Sequence, residues 1–256
     1  MAIPRALILR APGTNCDEET AAAWTLAGAV AETLHFGRVL EAPASLNRFQ
    51  ILTIPGGFSF GDDLGAGRIL ATRLVTALGA SLSRFRDRGG LVLGICNGFQ
   101  VLVKAGLLPG GAFPVASTLT HNDSGHFESR WVRLAPVAGR CVFLASADPL
   151  ELPVAHGEGK FLTTTPAALK ALEDAGQVVL RYVDAHGTPT ESYPANPNGS
   201  PGAVAGLCDP TGRVFGLMPH PERHVSPLHH PRWTRTPPKS EGDGLRIFRN
   251  AVDALR

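Results

Sequence analysis

Short apolar runs alternate along this chain with stretches in which apolar positions recur every three or four residues. Ala6-Leu7-Ile8-Leu9 is the first run and ends in the loop residues Gly13-Thr14-Asn15. It reads as a buried strand. A helix over 21–26 follows, with Asp17 or Thr14 as its cap and Gly28 at its close. Ile51-Leu52-Thr53-Ile54 is a second buried strand, stopped by Pro55-Gly56-Gly57. From Ile69 the residues Leu70, Leu74, Val75, Leu78, Leu82 and Phe85 keep helical spacing until Gly89-Gly90. Leu91-Val92-Leu93-Gly94-Ile95 gives a third strand, and 99–105 a helix ended by Gly106.

The second half reads as shorter strands at 131–134, 142–144, 178–183, 203–207 and 214–218, with a last helix over 244–255. Strands alternating with helices predict an α/β fold: a largely parallel central sheet flanked by helices. No linker divides the chain, so residues 1–256 are expected to form a single domain. The stretch 226–243, rich in proline and charge, reads as a surface loop or insertion.

Composition narrows the function classes. Hydrophobic residues at 44% against 18% charged supply a core and argue against disorder. A net charge of +2 argues against a nucleic-acid partner or a membrane surface. No run approaches the roughly 18 apolar residues of a membrane span, and the N-terminus lacks a secretory pattern. Cys16, Cys96, Cys141 and Cys208 lie far apart with no paired spacing, so a cytoplasmic location with free thiols is expected.

The sharpest chemical feature is Gly94-Ile95-Cys96-Asn97-Gly98 between a buried strand and a helix. This is a nucleophile-elbow pattern with cysteine as the nucleophile. The helix N-terminus behind the sulfur favours thiolate. A thiol with pKa about 8.5 is only about 3% ionised at pH 7, so a base is needed. Met218-Pro219-His220-Pro221-Glu222 supplies one, because residues i and i+2 of an extended segment face the same side. His220 would take the thiol proton and Glu222 would hold its tautomer. Asn97, directly after the nucleophile, and Gly57, in the turn after the second strand, are the candidate oxyanion donors. His156-Gly157-Glu158-Gly159-Lys160 and His229-His230 lack an established metal spacing, and no P-loop sequence occurs, so no metal or cofactor site is expected in this chain. The other three cysteines read as structural.

These residues carry a resemblance. The Cys96 elbow, continuing to Phe99-Gln100, together with Ile54-Pro55-Gly56-Gly57-Phe58-Ser59 and Met218-Pro219-His220-Pro221-Glu222-Arg223, resembles the class I glutamine amidotransferases. Gly13-Thr14-Asn15-Cys16-Asp17 and the glycine-rich run from Phe58 to Gly67 resemble, within that family, the glutaminase subunits of phosphoribosylformylglycinamidine synthases. Asn122-Asp123-Ser124-Gly125-His126-Phe127 and Ala155-His156-Gly157-Glu158-Gly159-Lys160 fit as well, so the likeness spans most of the chain.

The resemblance implies a flavodoxin-like fold and a Cys-His-Glu triad that releases ammonia from glutamine. The ammonia would pass to a separate ATP-dependent synthetase that makes formylglycinamidine ribonucleotide in purine biosynthesis. ATP and Mg would sit on that synthetase, and a small bridging subunit would join the two. Gln100, Phe127 and Ser129 are offered by the same resemblance as glutamine-binding residues. Met1, a few residues before the first strand, suits the discrete subunit rather than the end of a fused synthase. Three alternatives stay open at this level: another class I amidotransferase subunit, a stand-alone γ-glutamyl hydrolase, and a degenerate binding module.

Overall fold

A computed structural model describes residues 2–110, 117–137, 139–235, 237 and 239–256. In chain order, β1 (Arg5–Arg10), α1 (Asp17–Leu26), β2 (Val30–His35), α2 (Phe36–Glu41) and β3 (Ile51–Ile54) come first. Next are α3 (Arg68–Asp87), β4 (Leu91–Ile95), α4 (Asn97–Lys104), β5 (Ser117–Thr120) and β6 (Glu128–Pro136). Then follow β7 (Leu150–His156), β8 (Lys160–Thr163), α5 (Pro166–Asp174), β9 (Val178–Val183), β10 (Val204–Cys208), β11 (Val214–Leu217) and α6 (Leu245–Asp253).

Nine strands form one sheet in the order β2-β1-β3-β4-β11-β10-β9-β6-β7, and β5 pairs with β8 in a separate ribbon. The pairings from β2 to β11 are parallel, and those from β11 to β7 are antiparallel. The sheet is therefore mixed rather than largely parallel, and its parallel half contains the three apolar runs as β1, β3 and β4. β3 and β4 are buried at every position, which requires cover on both faces. α1 packs on α6 through Trp24 and Phe248, whose rings meet edge to face at 4.9 Å. The Trp24 indole N–H donates to Thr53 Oγ1 at 2.8 Å, so the polar atoms of this core contact are satisfied.

Some expectations change. Asp17 does not cap α1 but opens it, with its carboxylate held by Arg10 at 2.5 Å; Cys16 takes the cap position. Residues 142–144 form a turn, in which Leu144 N–H reaches Cys141 C=O at 3.1 Å. The apolar pattern predicts none of β2, α2, β5, β7, β8 and α5. The stretch 226–243, of which positions 236 and 238 lie outside the described residues, folds back on the domain as a strap. It starts with a 3₁₀ turn at Pro227–His229, its Asp243 accepts from Glu151 N–H at 3.0 Å, and Trp131 packs edge-on to His224 and His230. A cavity of about 360 Å³ lies under it, lined by residues that include Glu151, His224, Leu228 and Trp233. Among the described residues no helix is long and apolar enough to cross a membrane.

Two glycines give contrasting tests of this packing. A methyl group on Gly98 would stand 1.8 Å from Ile54 C=O, whereas one on Gly79, inside α3, would meet nothing within 4 Å. Gly98→Ala is expected to cost at least the roughly 1–3 kcal/mol of overpacking. Gly79→Ala is expected to gain about 0.5–1 kcal/mol from helix propensity. Urea unfolding midpoints of the two variants check this directly.

Candidate active site

The parallel register of β4 with β11 assembles the site. Leu217 lies opposite Ile95, and Cys96 N–H donates to Leu217 C=O at 2.8 Å. The segment leaving β11 therefore passes beside Cys96 and carries His220 with it. Cys96 itself sits at φ 51°, ψ −105°, a conformation L-residues avoid, costing about 1–3 kcal/mol. The turn aims the side chain at the carboxyl end of the sheet, where open α/β folds bind ligands. Its Sγ lies 3.6 Å from Ala155 C=O.

His220 and Glu222 are both 2% exposed, and Nδ1 of His220 meets Glu222 Oε1 at 2.6 Å. An ionised carboxylate only accepts, so Nδ1 carries the proton and Nε2 is left as the basic nitrogen. His220 N–H is anchored on Pro153 C=O at 2.8 Å, which ties the segment to β7. Burial alone pushes the imidazole pKa down. The Glu222 carboxylate, then Cys96, outweigh it and hold the group well above its ordinary value. A ring so placed accepts a proton readily and keeps it beside the sulfur.

A pocket of about 220 Å³ opens on Cys96, lined among others by Gly57, Phe58, Asp62, Gln100, Phe127 and Glu158. Gly57 and Asn97, the candidate oxyanion donors, both lie at this end. Gly57 has φ +136°, and its N–H donates to no acceptor among the described residues. Asn97 opens α4, so its N–H has no acceptor one turn back in the helix. The turn carrying Gly57 is held by the β1–α1 loop: Phe58 N–H donates to Gly13 C=O at 2.9 Å and Phe60 N–H to Pro12 C=O at 2.7 Å. The two glycine-rich motifs are thus one docked unit.

Gln100 is buried in the pocket wall, its Nε2 donating to Glu158 C=O at 2.7 Å and its Oε1 accepting from Asn97 Nδ2 at 3.0 Å. Phe127 reaches the mouth, 54% exposed, with its ring 6.5 Å from that of Phe58. Ser129 is exposed on β6 and is not among the residues lining this cavity, though it pairs in register with Ala155, which is.

Four residues of the site, Asp62, Glu158, His156 and Cys16, lie inside the quoted motifs without a role that their spacing assigns. Asp62 accepts from Gly67 N–H and Asn97 Nδ2, each at 3.1 Å, and burial, with Glu158 nearby, raises its pKa. Glu158 brings a second carboxylate to the same wall. His156 is buried, and desolvation followed by the repulsion of His220 pushes its pKa down to about 3, so it is neutral. Its Nδ1 lies 3.1 Å from Asn122 Oδ1, and Asn122 Nδ2 bonds the His156 carbonyl at 2.8 Å. Cys16, expected to be structural, has its Sγ within 4.8 Å of a ring nitrogen of His220 and of a Glu222 oxygen. Cys141 and Cys208 stay buried in the core.

This arrangement can perform acyl transfer from a small amide through a thioester. The family of CobB/CobQ-like glutamine amidotransferase domains matches residues 3–253. A phosphoribosylformylglycinamidine synthase subunit PurQ of Dehalococcoides mccartyi is 50% identical over 98% of this chain and 98% of its own length. The human phosphoribosylformylglycinamidine synthase is 37% identical over 97% of this chain, which spans 20% of that protein. A chain of the PurLQS structure from Thermotoga maritima superposes with a TM-score of 0.76 at 29% identity, covering 100% of each.

The pairing of His220 with Glu222 gives a signed test. Glu222→Gln removes the carboxylate that opposes burial, so the His220 pKa is expected to fall. The imidazolium would then deprotonate at lower pH than in the parent. The lost pair stabilises the parent fully below about pH 6.5, the unfolded value, and less as pH rises through the raised folded value. Histidine-labelled NMR titration of both proteins reads the shift; an unchanged or higher value contradicts it.

Proposed function

The chain belongs to the CobB/CobQ-like glutamine amidotransferase domain family and, within it, to the PurQ subunits of phosphoribosylformylglycinamidine synthase, and on that footing we propose that Cys96, His220 and Glu222 are its hydrolytic machinery. It is a glutamine amidotransferase subunit, the glutaminase of a purine-biosynthetic synthase, and works in complex with a synthetase subunit. The observation that carries the assignment of residues is the buried 2.6 Å His220–Glu222 contact delivered beside a strained Cys96 by adjacent parallel strands.

In the proposed reaction the Cys96 thiolate attacks the side-chain carboxamide carbon of glutamine. The carbonyl oxygen becomes an oxyanion, held by the Gly57 and Asn97 N–H groups. His220, having taken the thiol proton, returns it to the nitrogen as the C–N bond breaks and ammonia leaves. A water molecule then gives a proton to His220 and adds to the thioester. Glutamate departs and the proton returns to sulfur. Each oxyanion donor is worth about 2.7–4 kcal/mol in such sites.

The pocket suits this substrate in size and charge. At about 220 Å³ it lies below the roughly 300–1,000 Å³ of drug-sized ligand sites. Asp62 and Glu158 place negative charge on the wall, complementary to the α-ammonium of an amino acid. We assign ATP and Mg to the synthetase, which consumes the ammonia, and include a small bridging subunit as the third component.

Two outcomes follow for the complex. Cys96→Ser is expected to abolish glutamine-dependent synthesis and leave ammonia-dependent synthesis intact, as read by amidine formation from either nitrogen source. Loss of both would make Cys96 structural, and retention of both would overturn the mechanism. Glu158→Gln is expected to raise KM for glutamine about tenfold, or about 1.4 kcal/mol, with kcat within a few-fold. An unchanged KM in steady-state glutamate release would remove Glu158 from substrate recognition.

A further inference from the structure

Cys16 packs beside the catalytic dyad without lining the pocket: it is 1% exposed and is not part of the cavity wall at Cys96. Its Sγ, a ring nitrogen of His220 and an oxygen of Glu222 lie within 4.8 Å of one another. The Sγ also accepts from Arg223 Nη2 at 3.1 Å and lies 3.2 Å from Asn15 Oδ1. Arg223 is held in turn by Glu19 at 2.8 Å. A methyl group on Gly56 would stand 2.9 Å from His220 Cε1 and 3.0 Å from Cys16 Sγ, so the backbone at Gly56, the thiol and the ring share one tightly filled space. Glu222 Oε2 is buried there without a hydrogen-bond partner.

A buried carboxylate oxygen with no partner is costly, and a ring held by one hydrogen bond can still pivot about it. Sulfur is large and polarisable enough to brace both groups at this distance, whereas a serine hydroxyl is smaller and its bond to carbon shorter. Burial raises the Cys16 pKa, so the group is a neutral thiol and does not compete with Cys96 as a nucleophile. We propose that Cys16 is a positioning residue of the glutaminase reaction: its thiol, pinned by Arg223 and Asn15, fixes the angle at which the His220–Glu222 pair presents its basic nitrogen to Cys96. The proposal rests on the triad assignment above and adds a fourth residue behind it.

The consequence is a split between turnover and binding. Cys16 touches the base and not the substrate, so its loss affects kcat and leaves KM alone. It also affects the base's ionisation. The groups acting on His220 are Glu222, Cys96 and Cys16, with His156 repelling it and Arg223 acting on Cys16. The Cys16 contact favours the imidazolium, so without it the ionisation of His220 moves to lower pH.

The test uses Cys16→Ala and Cys16→Ser in the complex with the synthetase subunit, measuring glutamate release against glutamine concentration and pH. Both variants are expected to lose about tenfold or more in kcat, within the range general acid–base groups control, with KM within twofold. The limb of the rate profile reporting His220 shifts to lower pH. If the core position proves intolerant, Arg223→Gln serves instead: the guanidinium is partly exposed, and its removal unpins the thiol without opening the core. It should lower kcat in the same sense. Parent-like kcat and pH profile in folded variants would overturn the proposal, as would a rise in KM with kcat preserved. An active Cys96→Ala enzyme would overturn the triad itself, an outcome separable from either.

Discussion

Everything in the site depends on closing one turn in the crowded space at the ends of β3, β4 and β11. Gly98 must pass Ile54 C=O so closely that no side chain fits, and Cys96 must take a left-handed backbone to make the pass. The surrounding strands impose this geometry, because β4 is paired on both sides and buried throughout. The strain is what lifts the sulfur clear of the sheet and leaves the first N–H groups of α4 unpaired beside it. A relaxed turn would return the thiol to the core, where it would behave as an inert apolar residue.

The mixed sheet explains how a base from a distant part of the chain reaches that sulfur. β11 belongs to both halves: parallel to β4 on one side and antiparallel to β10 on the other. Register with β4 fixes where the chain leaves the sheet; His220 itself is extended, but Pro221–Arg223 close into a 3₁₀ turn rather than continuing the extended segment the sequence suggested. The carboxylate two residues on then falls beside the ring. Burial of the pair strengthens their attraction while penalising either charge alone, so the two groups depend on each other.

Local signals in the sequence carried the parts of this picture that are local. The elbow is a contiguous strand, turn and helix, and His220 with Glu222 is a two-residue relation, so both were legible. Cys16 and Asp62 come to the site from two separate loops and His156 with Glu158 from the end of β7 and its turn into β8, and no spacing in the chain announces the meeting of the three. The two edge strands of the sheet were harder to read for a related reason. β2, at the parallel end, is exposed and without an apolar face, and β7, at the antiparallel end, carries Pro153 in its middle though it alternates. Residues 142–144 show the converse, an apolar triplet that is a buried turn because the backbone bonds Gly212 instead of a strand.

The central claim is that glutamine is cleaved by covalent catalysis at Cys96, with the other thiols silent. Acid-quenching the complex during turnover and mapping its cysteine peptides by mass spectrometry tests this most directly. The account predicts the mass of one glutamyl group on the peptide bearing Cys96, with Cys16, Cys141 and Cys208 unmodified. It also predicts accumulation of that adduct in His220→Ala, if the residual thiolate still attacks but water is no longer activated. A glutamyl adduct on any other cysteine, or turnover with none on Cys96 at any quench time, would contradict it.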